Sequence, residues 1–182
     1  MSKLSFENFY TQAKAKAEEA LSIVQKDDIK KHELNQNAVE YMNKSMLSAD
    51  KNLFEYVAVL DEEKKKLLDA NNQAIKFSLQ SFTKNIINHP EITLKEYYLI
   101  PEIIDKTELL IYVSKNGDQK KKILCFAENG KYYKVAIKTT GNKEENFLLS
   151  FHSVNRNAIE RDKKKKGIKI VYDNLTQKID SL

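Results

Sequence analysis

The segment KYYKVAIKTTGNKEENFLLSFHS, residues 131–153, contains two runs of alternating apolar and polar residues on either side of a Gly-Asn pair. Side chains alternate between the two faces of an extended strand, so this period of two is typical of a half-buried β-hairpin. We expect the apolar face to carry Tyr133, Val135 and Ile137 from the first strand and Phe147, Leu149 and Phe151 from the second. The segment therefore predicts two neighbouring antiparallel strands that bury one face.

The rest of the second half has the same character. Asn116-Gly117 and Asn129-Gly130 bound two further apolar runs. Asn-Gly is the strongest short hairpin signal, because both residues tolerate the positive φ angles of a type I′ turn. We predict a four-stranded antiparallel meander, followed by a short helix and a last extended stretch. The strands are expected at about 108–114, 121–127, 131–139 and 145–153, the helix at 155–164 and the extended stretch at 168–173.

The first half is built differently, since all four glycines follow residue 116. Apolar residues recur three or four apart from Phe6 to Val24, which is the stripe of an amphipathic helix. A second helix is expected at about 30–47 and a third from Ser48 to Leu68. The predicted fold class is therefore α+β, with a helical region at 1–77 for docking or oligomerisation and a sheet-bearing domain at 78–182 with flanking helices.

The composition of the chain limits the classes of function and of binding site that it can have. The chain has a net charge of +5, and residues 89–182 hold 18 Lys+Arg against 13 Asp+Glu, whereas residues 1–88 hold 13 of each. The second half is therefore the candidate for binding an anionic partner, although a lysine run alone is more often a solvated surface. The single cysteine, Cys125, excludes internal disulfides and a cysteine-based zinc site. No long apolar span or signal peptide is visible, so we expect a cytoplasmic protein that does not enter a membrane.

The polar face of the predicted hairpin carries side chains that can take part in catalysis. Alternation places Lys134 and Lys138 on the same face as Ser150 and His152, with Arg156 within reach from the following helix. Cleavage of RNA by its own 2′-hydroxyl needs a proton acceptor, a proton donor and fixed positive charge on the phosphorane. Histidine suits the proton steps because its ordinary pKa of about 6.5 is close to neutral pH. Lysine or arginine supplies the charge, and this chemistry needs no metal ion or other cofactor.

Each of these residues also has a purely structural interpretation that competes with the catalytic one. A solvent-facing strand normally carries lysine, serine and tyrosine, so one histidine there means little. His89, in an Asn-His-Pro corner, is a second catalytic candidate but is also an ordinary turn residue. Tyr97 and Tyr132 are candidates to stack on bases, although core or rim packing explains them equally well. His32 lies in a charged helix face, where a solvated side chain is expected.

The order of these elements carries a resemblance. SFTKNIINHPEITLKEYYLIPEII, followed by GKYYKVAIK and FLLSFHSV, resembles the phage-associated nuclease domains of the barnase, EndoU, colicin and RelE fold group over roughly residues 78–172. The resemblance implies a metal-independent ribonuclease with a helix-then-sheet fold that acts on cellular RNA, with tRNA as one candidate. Carried over by position, it assigns the catalytic roles to His89, Lys134 or Lys138, and Ser150, and His152 and Arg156 fit the same cleft.

These expectations combine into a toxin-like endoribonuclease of phage or prophage origin. Its catalytic set would be His89, Lys134, Ser150 and His152, and its RNA-binding set would be Lys138, Arg156, Tyr132 and Tyr97. The helices of the first half would bind an immunity protein or a phage head protein. Two alternatives stay open: a non-catalytic nucleic-acid-binding module, and a phage structural or interaction protein.

Overall fold

The computed structural model describes residues 3–113, 121–128 and 131–175. Its helices are α1 (Lys3–Val24), α2 (Lys31–Ser45), α3 (Ser48–Lys51), α4 (Glu62–Leu67), α5 (Leu79–Asn88), α6 (Leu94–Tyr97), α7 (Ile100–Asp105) and α8 (Arg156–Lys163). Its strands are β1 (Phe54–Val59), β2 (Ala74–Ser78), β3 (Leu109–Val113), β4 (Lys121–Glu128), β5 (Lys131–Thr139), β6 (Asn146–Val154) and β7 (Ile168–Asp173). The α+β class is confirmed.

The described strands form one sheet in the order β1-β2-β6-β5-β4-β3-β7. Strands β3, β4, β5 and β6 are consecutive antiparallel neighbours, and they cover the four runs that the sequence marked. The prediction of a four-stranded antiparallel sheet was nevertheless too narrow. β7 adds antiparallel to β3, β1 adds antiparallel to β2, and β2 pairs with β6 in parallel, so the sheet is mixed. The predicted turns at 116–117 and 129–130 lie outside the described residues.

A bulge in β6 changes which of its side chains are buried. Ala136 pairs with Ser150 but the next residue, Ile137, pairs with Leu148, so Leu149 is the extra residue. As a result Leu148 and Phe151, three apart, both enter the main core with Val135. The expectation that Phe147 and Leu149 share a buried face with Phe151 was therefore wrong. Beyond the bulge the predicted alternation holds.

The first half is not a purely helical region, so the predicted boundary at residues 77 and 78 is corrected. The expected third helix is replaced by α3, β1 and α4, and residues 54–78 supply two strands of the common sheet. The main core combines Phe6 of α1 and Phe77 of β2 with Phe151 of β6. Residues on both sides of the boundary therefore share one core, while helices α1 and α2 confirm the two N-terminal helical predictions.

The segment between α5 and the sheet follows its capping signals. Thr93 and Glu96 form the capping box of α6, in which each side chain bonds the backbone N–H of the other residue. Pro101 lies in the first turn of α7, where proline fits because that backbone N–H has no helical partner. The segment therefore forms two short helices.

The second face of the sheet has its own small core beneath α8. It consists of Leu109, Ile111, Cys125, Ile159 and Leu175. Burial raises the pKa of the Cys125 thiol to about 12, which keeps it protonated and unreactive at neutral pH. Cys125 is thus a buried residue of this small core. No helix in the described ranges is long and apolar enough to cross a membrane.

Candidate functional site

The last turn of α5 is fastened to β6 by one buried side chain. Asn85 donates from Nδ2 to the Phe151 carbonyl at 2.8 Å and accepts the Phe151 N–H on Oδ1 at 2.9 Å. β2 pairs with β6 only at Asn146 and Phe147. Further along this edge of β6, the Asn85 side-chain amide bonds the backbone N–H and C=O of Phe151 in place of a strand. Asn85 therefore fixes the position of the residue that ends the helix, His89.

His89 and His152 lie face to face. Their ring centroids are 4.1 Å apart and their planes differ by 4°. His89 is the residue that ends α5, and its side chain keeps 25% of its exposure. His152 follows Phe151 on β6, so the Asn85 bond holds both rings. Two of the sequence-predicted catalytic residues, 63 positions apart, are thus brought into direct contact.

A carboxylate lies behind His89. The Glu91 Oε1 atom is 3.4 Å from the His89 Nδ1 atom. Burial lowers the pKa of His89, and Glu91 opposes this by its charge and its hydrogen bond, while Lys134 and Lys31 lower the pKa further. The net pKa is below 6.5, so the ring is predominantly neutral at pH 7. The Glu91 contact favours the tautomer with its proton on Nδ1, which leaves Nε2 able to accept a proton.

Lys134 lies next to the stacked rings but is already paired. It is directly opposite His152 in the β5–β6 register, on the same face of the sheet. Its Nζ atom donates to Asp162 Oδ2 on α8 at 2.8 Å, and Lys165 donates to the other oxygen at 2.6 Å. Burial disfavours the Asp162 carboxylate, but the bonds from Lys134 and Lys165 outweigh it and hold the pKa of Asp162 below its ordinary value. The ion pair ties β5 to α8.

Ser150 and Lys138 share the face that carries His152. Ser150 pairs with Ala136, two residues from the Lys134–His152 pair, and is half-buried. Lys138 is on the far side of the bulge and pairs with Phe147. Ser150 is therefore close to the rings, whereas Lys138 lies further along the face.

Tyr132 and Arg156 lie toward the opposite end of this face. Tyr132 pairs with Val154, two pairs beyond Lys134 and His152, and also packs against the small core under α8. Arg156 is exposed in the first turn of α8. Both residues line an open groove of about 600 Å³ with Ser153 and Asn155. The structure thus places Lys138 on one side of the stacked rings and Tyr132 with Arg156 on the other.

Tyr97 does not belong to the site. Its side chain is 2% exposed in the main core, and its hydroxyl accepts a hydrogen bond from Asn85 at 2.8 Å. Burial raises the pKa of Tyr97 strongly. The interpretation of Tyr97 as a base-stacking residue is therefore corrected, because a ring enclosed by the core has no face open to a nucleotide.

Sequence reasoning missed three residues that shape the site. Glu91 is two residues after His89 in the HPE corner, and this spacing was a readable signal for a carboxylate–histidine pair. Asn85 and Asp162 gave no such signal, because each acts on a residue far away in the chain. Both are almost fully buried, and a buried polar side chain requires a specific partner.

Within the described ranges, no group of three or more histidine, cysteine, aspartate or glutamate side chains is arranged to hold a metal ion. No family model matches the chain, and comparisons with curated proteins and with solved structures give no significant match. The geometry of the site therefore carries the functional argument.

Proposed function

We propose that the protein is a metal-independent endoribonuclease that cleaves RNA by attack of the 2′-hydroxyl on the adjacent phosphodiester. The observation that carries the proposal is the contact between His89 and His152, with Glu91 behind the first ring and Lys134 opposite the second. A base, an acid and a cation on one face are the groups that this reaction requires.

The two rings take different roles. Positive charge on both rings at 4.1 Å is disfavoured, and Lys134 adds to the repulsion. At most one of the two rings is therefore protonated at a time. Because its pKa is lowered and its Nδ1 faces Glu91, His89 is the base that takes the 2′-hydroxyl proton at Nε2. His152 is the acid that protonates the leaving 5′-oxygen.

The reaction then balances without another reactant. The 2′-oxygen forms a bond to phosphorus, the bond from phosphorus to the 5′-oxygen breaks, and the products are a 2′,3′-cyclic phosphate and a 5′-hydroxyl. Ser150 donates a hydrogen bond to a phosphate oxygen, and Lys134 supplies positive charge. Lys138 on one side, with Arg156 and Tyr132 on the other, holds the flanking nucleotides.

The biological setting rests on the resemblance over residues 78–172 to phage-associated nuclease domains. From it we propose a toxin-like protein of phage or prophage origin that acts on cellular RNA, with tRNA as a candidate substrate. Cytoplasmic action follows from that substrate. An immunity protein or phage head protein remains the proposed partner of the N-terminal helices.

Alanine substitution of each histidine tests the proposal. Purified wild-type protein, His89→Ala and His152→Ala would be incubated with total RNA, with the exposed Thr11→Ala variant of α1 as control. We expect either histidine variant to lose about 100-fold or more of the cleavage rate while Thr11→Ala keeps it. Thermal unfolding of each variant would confirm that it is folded. Full activity in both histidine variants would refute the assignment.

A second candidate function is RNA binding without cleavage. The pairing of Lys134 with buried Asp162 favours it, because that cation is partly neutralised before any phosphate arrives. A binding module would retain intact RNA after long incubation, and its affinity would fall steeply with salt.

An interaction role is favoured by the edge strand β1. Four of the seven exposed large apolar side chains in the described part of the chain lie in this strand or directly before it: Leu53, Phe54, Tyr56 and Val59. Edge strands and exposed apolar patches are common protein-binding surfaces. This function would be supported if light scattering after size exclusion shows a stable oligomer that does not bind RNA.

A further inference from the structure

A polar groove lies between α2 and α5 and reaches the candidate catalytic histidine. It has a volume of about 550 Å³ and ends at His89; its other lining residues are His32, Asn35, Gln36, Val39, Lys84 and Asn88. This size lies in the range of small-molecule binding sites. The groove therefore offers room for a nucleotide-sized group directly beside the stacked rings.

Both helices present a regular stripe of polar side chains to the groove. On α2 the residues 32, 35, 36 and 39 follow the spacing of one helix face, which is usually apolar when a helix packs on a neighbour. Here only Val39 is apolar. α2 packs instead through Ala38 and Met42, which are buried. Val39 packs against the same cluster as Ala38 and Met42, whereas the polar residues His32, Asn35 and Gln36 take no part in it and are left open beside α5.

The lining has the chemistry of a nucleotide site. Asn35, Gln36 and Asn88 carry amides, which both donate and accept hydrogen bonds and so match the edges of unpaired bases. Lys84 is exposed and can contact a phosphate oxygen. No lining residue is a carboxylate, so an anionic ligand meets no repulsion from the groove itself. The positive charge of Lys31 at the start of α2 also acts on His89.

The position of the groove defines its ligand. Lys84 and Asn88 are one turn apart on α5, and His89 directly follows the last residue of that helix. A nucleotide in the groove is therefore close enough to be joined through the RNA backbone to a phosphate held at His89. Single-stranded RNA can supply both groups, because its bases are free to leave the stack.

We propose that the α2–α5 groove binds one unpaired nucleotide of single-stranded RNA next to the phosphodiester that is cleaved, with Lys84 on a phosphate and the Gln36 and Asn88 amides on the base. The inference rests on the proposed ribonuclease function. It assigns the second N-terminal helix to substrate recognition.

Binding of an uncleavable RNA tests the groove separately from catalysis. The probe is a fluorescent 2′-O-methyl oligonucleotide, which lacks the attacking hydroxyl, measured by anisotropy with the full chain. We expect Lys84→Ala to weaken binding about tenfold, since the variant loses a charge-assisted hydrogen bond to a phosphate oxygen at an exposed position. Gln36→Ala should weaken it by a smaller factor. Lys44→Ala, on α2 but bonded to Glu40 outside the groove, is the matched control and should bind like wild type.

Kinetics with cleavable RNA give the second readout. Lys84→Ala and Gln36→Ala should raise KM and leave kcat within about twofold, because the groove holds a group that does not react. Equal affinity of Lys84→Ala, Gln36→Ala and wild type for the probe would overturn the groove proposal, even if RNA is cleaved. Weakened probe binding in both variants without cleavage by wild type would support the groove and refute the nuclease function instead.

Discussion

Asn85 replaces a neighbouring strand for Phe151, because its amide bonds both the N–H and the C=O of that residue at 2.9 and 2.8 Å. The same amide also donates to the Tyr97 hydroxyl. Four residues after Asn85 comes His89, and one residue after Phe151 comes His152. The histidine contact is therefore a consequence of how α5 is fastened to β6.

Asn85→Ala should destabilise the fold. The change leaves the buried N–H and C=O of Phe151 without their partner, and each unsatisfied buried group costs about 1–3 kcal/mol. We expect the free energy of unfolding to fall by roughly 2 kcal/mol or more in urea denaturation. Asn88→Ala, which removes only a bond to the Lys84 carbonyl on the same helix, should change it by less than about 0.5 kcal/mol. Equal effects of the two changes would contradict this role of Asn85.

The Lys134–Asp162 ion pair should matter more to stability than the Lys165–Asp162 pair. Lys134 is 17% exposed and Lys165 is 66% exposed, so solvent compensates for the loss of the second far better. We expect Lys134→Met to destabilise the protein by about 1–3 kcal/mol and Lys165→Met by less than about 1 kcal/mol. Thermal unfolding of both variants under matched conditions measures the two effects. A larger loss of stability in Lys165→Met than in Lys134→Met would contradict this ranking.

The titration of His89 should respond to Glu91. Burial lowers the pKa of His89, whereas Glu91 raises it against the effects of Lys134 and Lys31. Glu91→Gln removes the negative charge, so the pKa should fall further below 6.5. NMR titration of the His89 ring protons measures this without relying on activity. If His89 is the base, the acid limb of the cleavage profile should move to lower pH by the same amount.

Glu102→Gln, which changes a carboxylate on α7 bonded to Lys106, should leave the His89 titration unchanged. An unchanged or raised His89 pKa in Glu91→Gln would show that Glu91 does not act on the ring.

Glu96 should contribute to the acid sensitivity of the fold. Burial disfavours its charge, but bonds from Lys131, Thr93 and Tyr133 lower the pKa of Glu96 from 4.5 to about 2. A depressed pKa stabilises the folded state above pH 4.5, and this stabilisation is lost as the pH falls from 4.5 to about 2. Glu96→Gln keeps an amide in the capping box but removes the charge. The variant should lose less stability than wild type over that interval; parallel curves in acid denaturation would refute the prediction.

The parts of the fold that were predictable are those with strong local signals. Helices α1 and α2 follow apolar spacing, and strands β3 to β6 follow alternation. The prediction of a helix at 53–60 was wrong, because Phe54, Val57 and Leu60 are spaced as on a helix although β1 is a strand. Pairing with β2 decided its structure, and that partner is a five-residue strand with a weak signal of its own.

The candidate site was predictable only in part. Alternation correctly placed His152 and Ser150 on the face of Lys134, because the register beyond the bulge is regular. The approach of His89 depends on the Asn85 bond to a strand 66 residues away, and no local pattern encodes it. The role of Asp162 could not be predicted for the same reason, since its ion-pair partner Lys134 lies on another element.

The chemical groups at the ends of the RNA products decide whether cleavage proceeds by attack of the 2′-hydroxyl. Purified protein would be incubated with a defined single-stranded RNA in the presence and in the absence of EDTA, and the products would be analysed by mass spectrometry. The proposed mechanism predicts 2′,3′-cyclic phosphate and 5′-hydroxyl ends from wild type, none from His89→Ala or His152→Ala above about one hundredth of that rate, and none at a position carrying a 2′-deoxy sugar. Intact RNA, or 3′-hydroxyl and 5′-phosphate ends that disappear with EDTA, would contradict it.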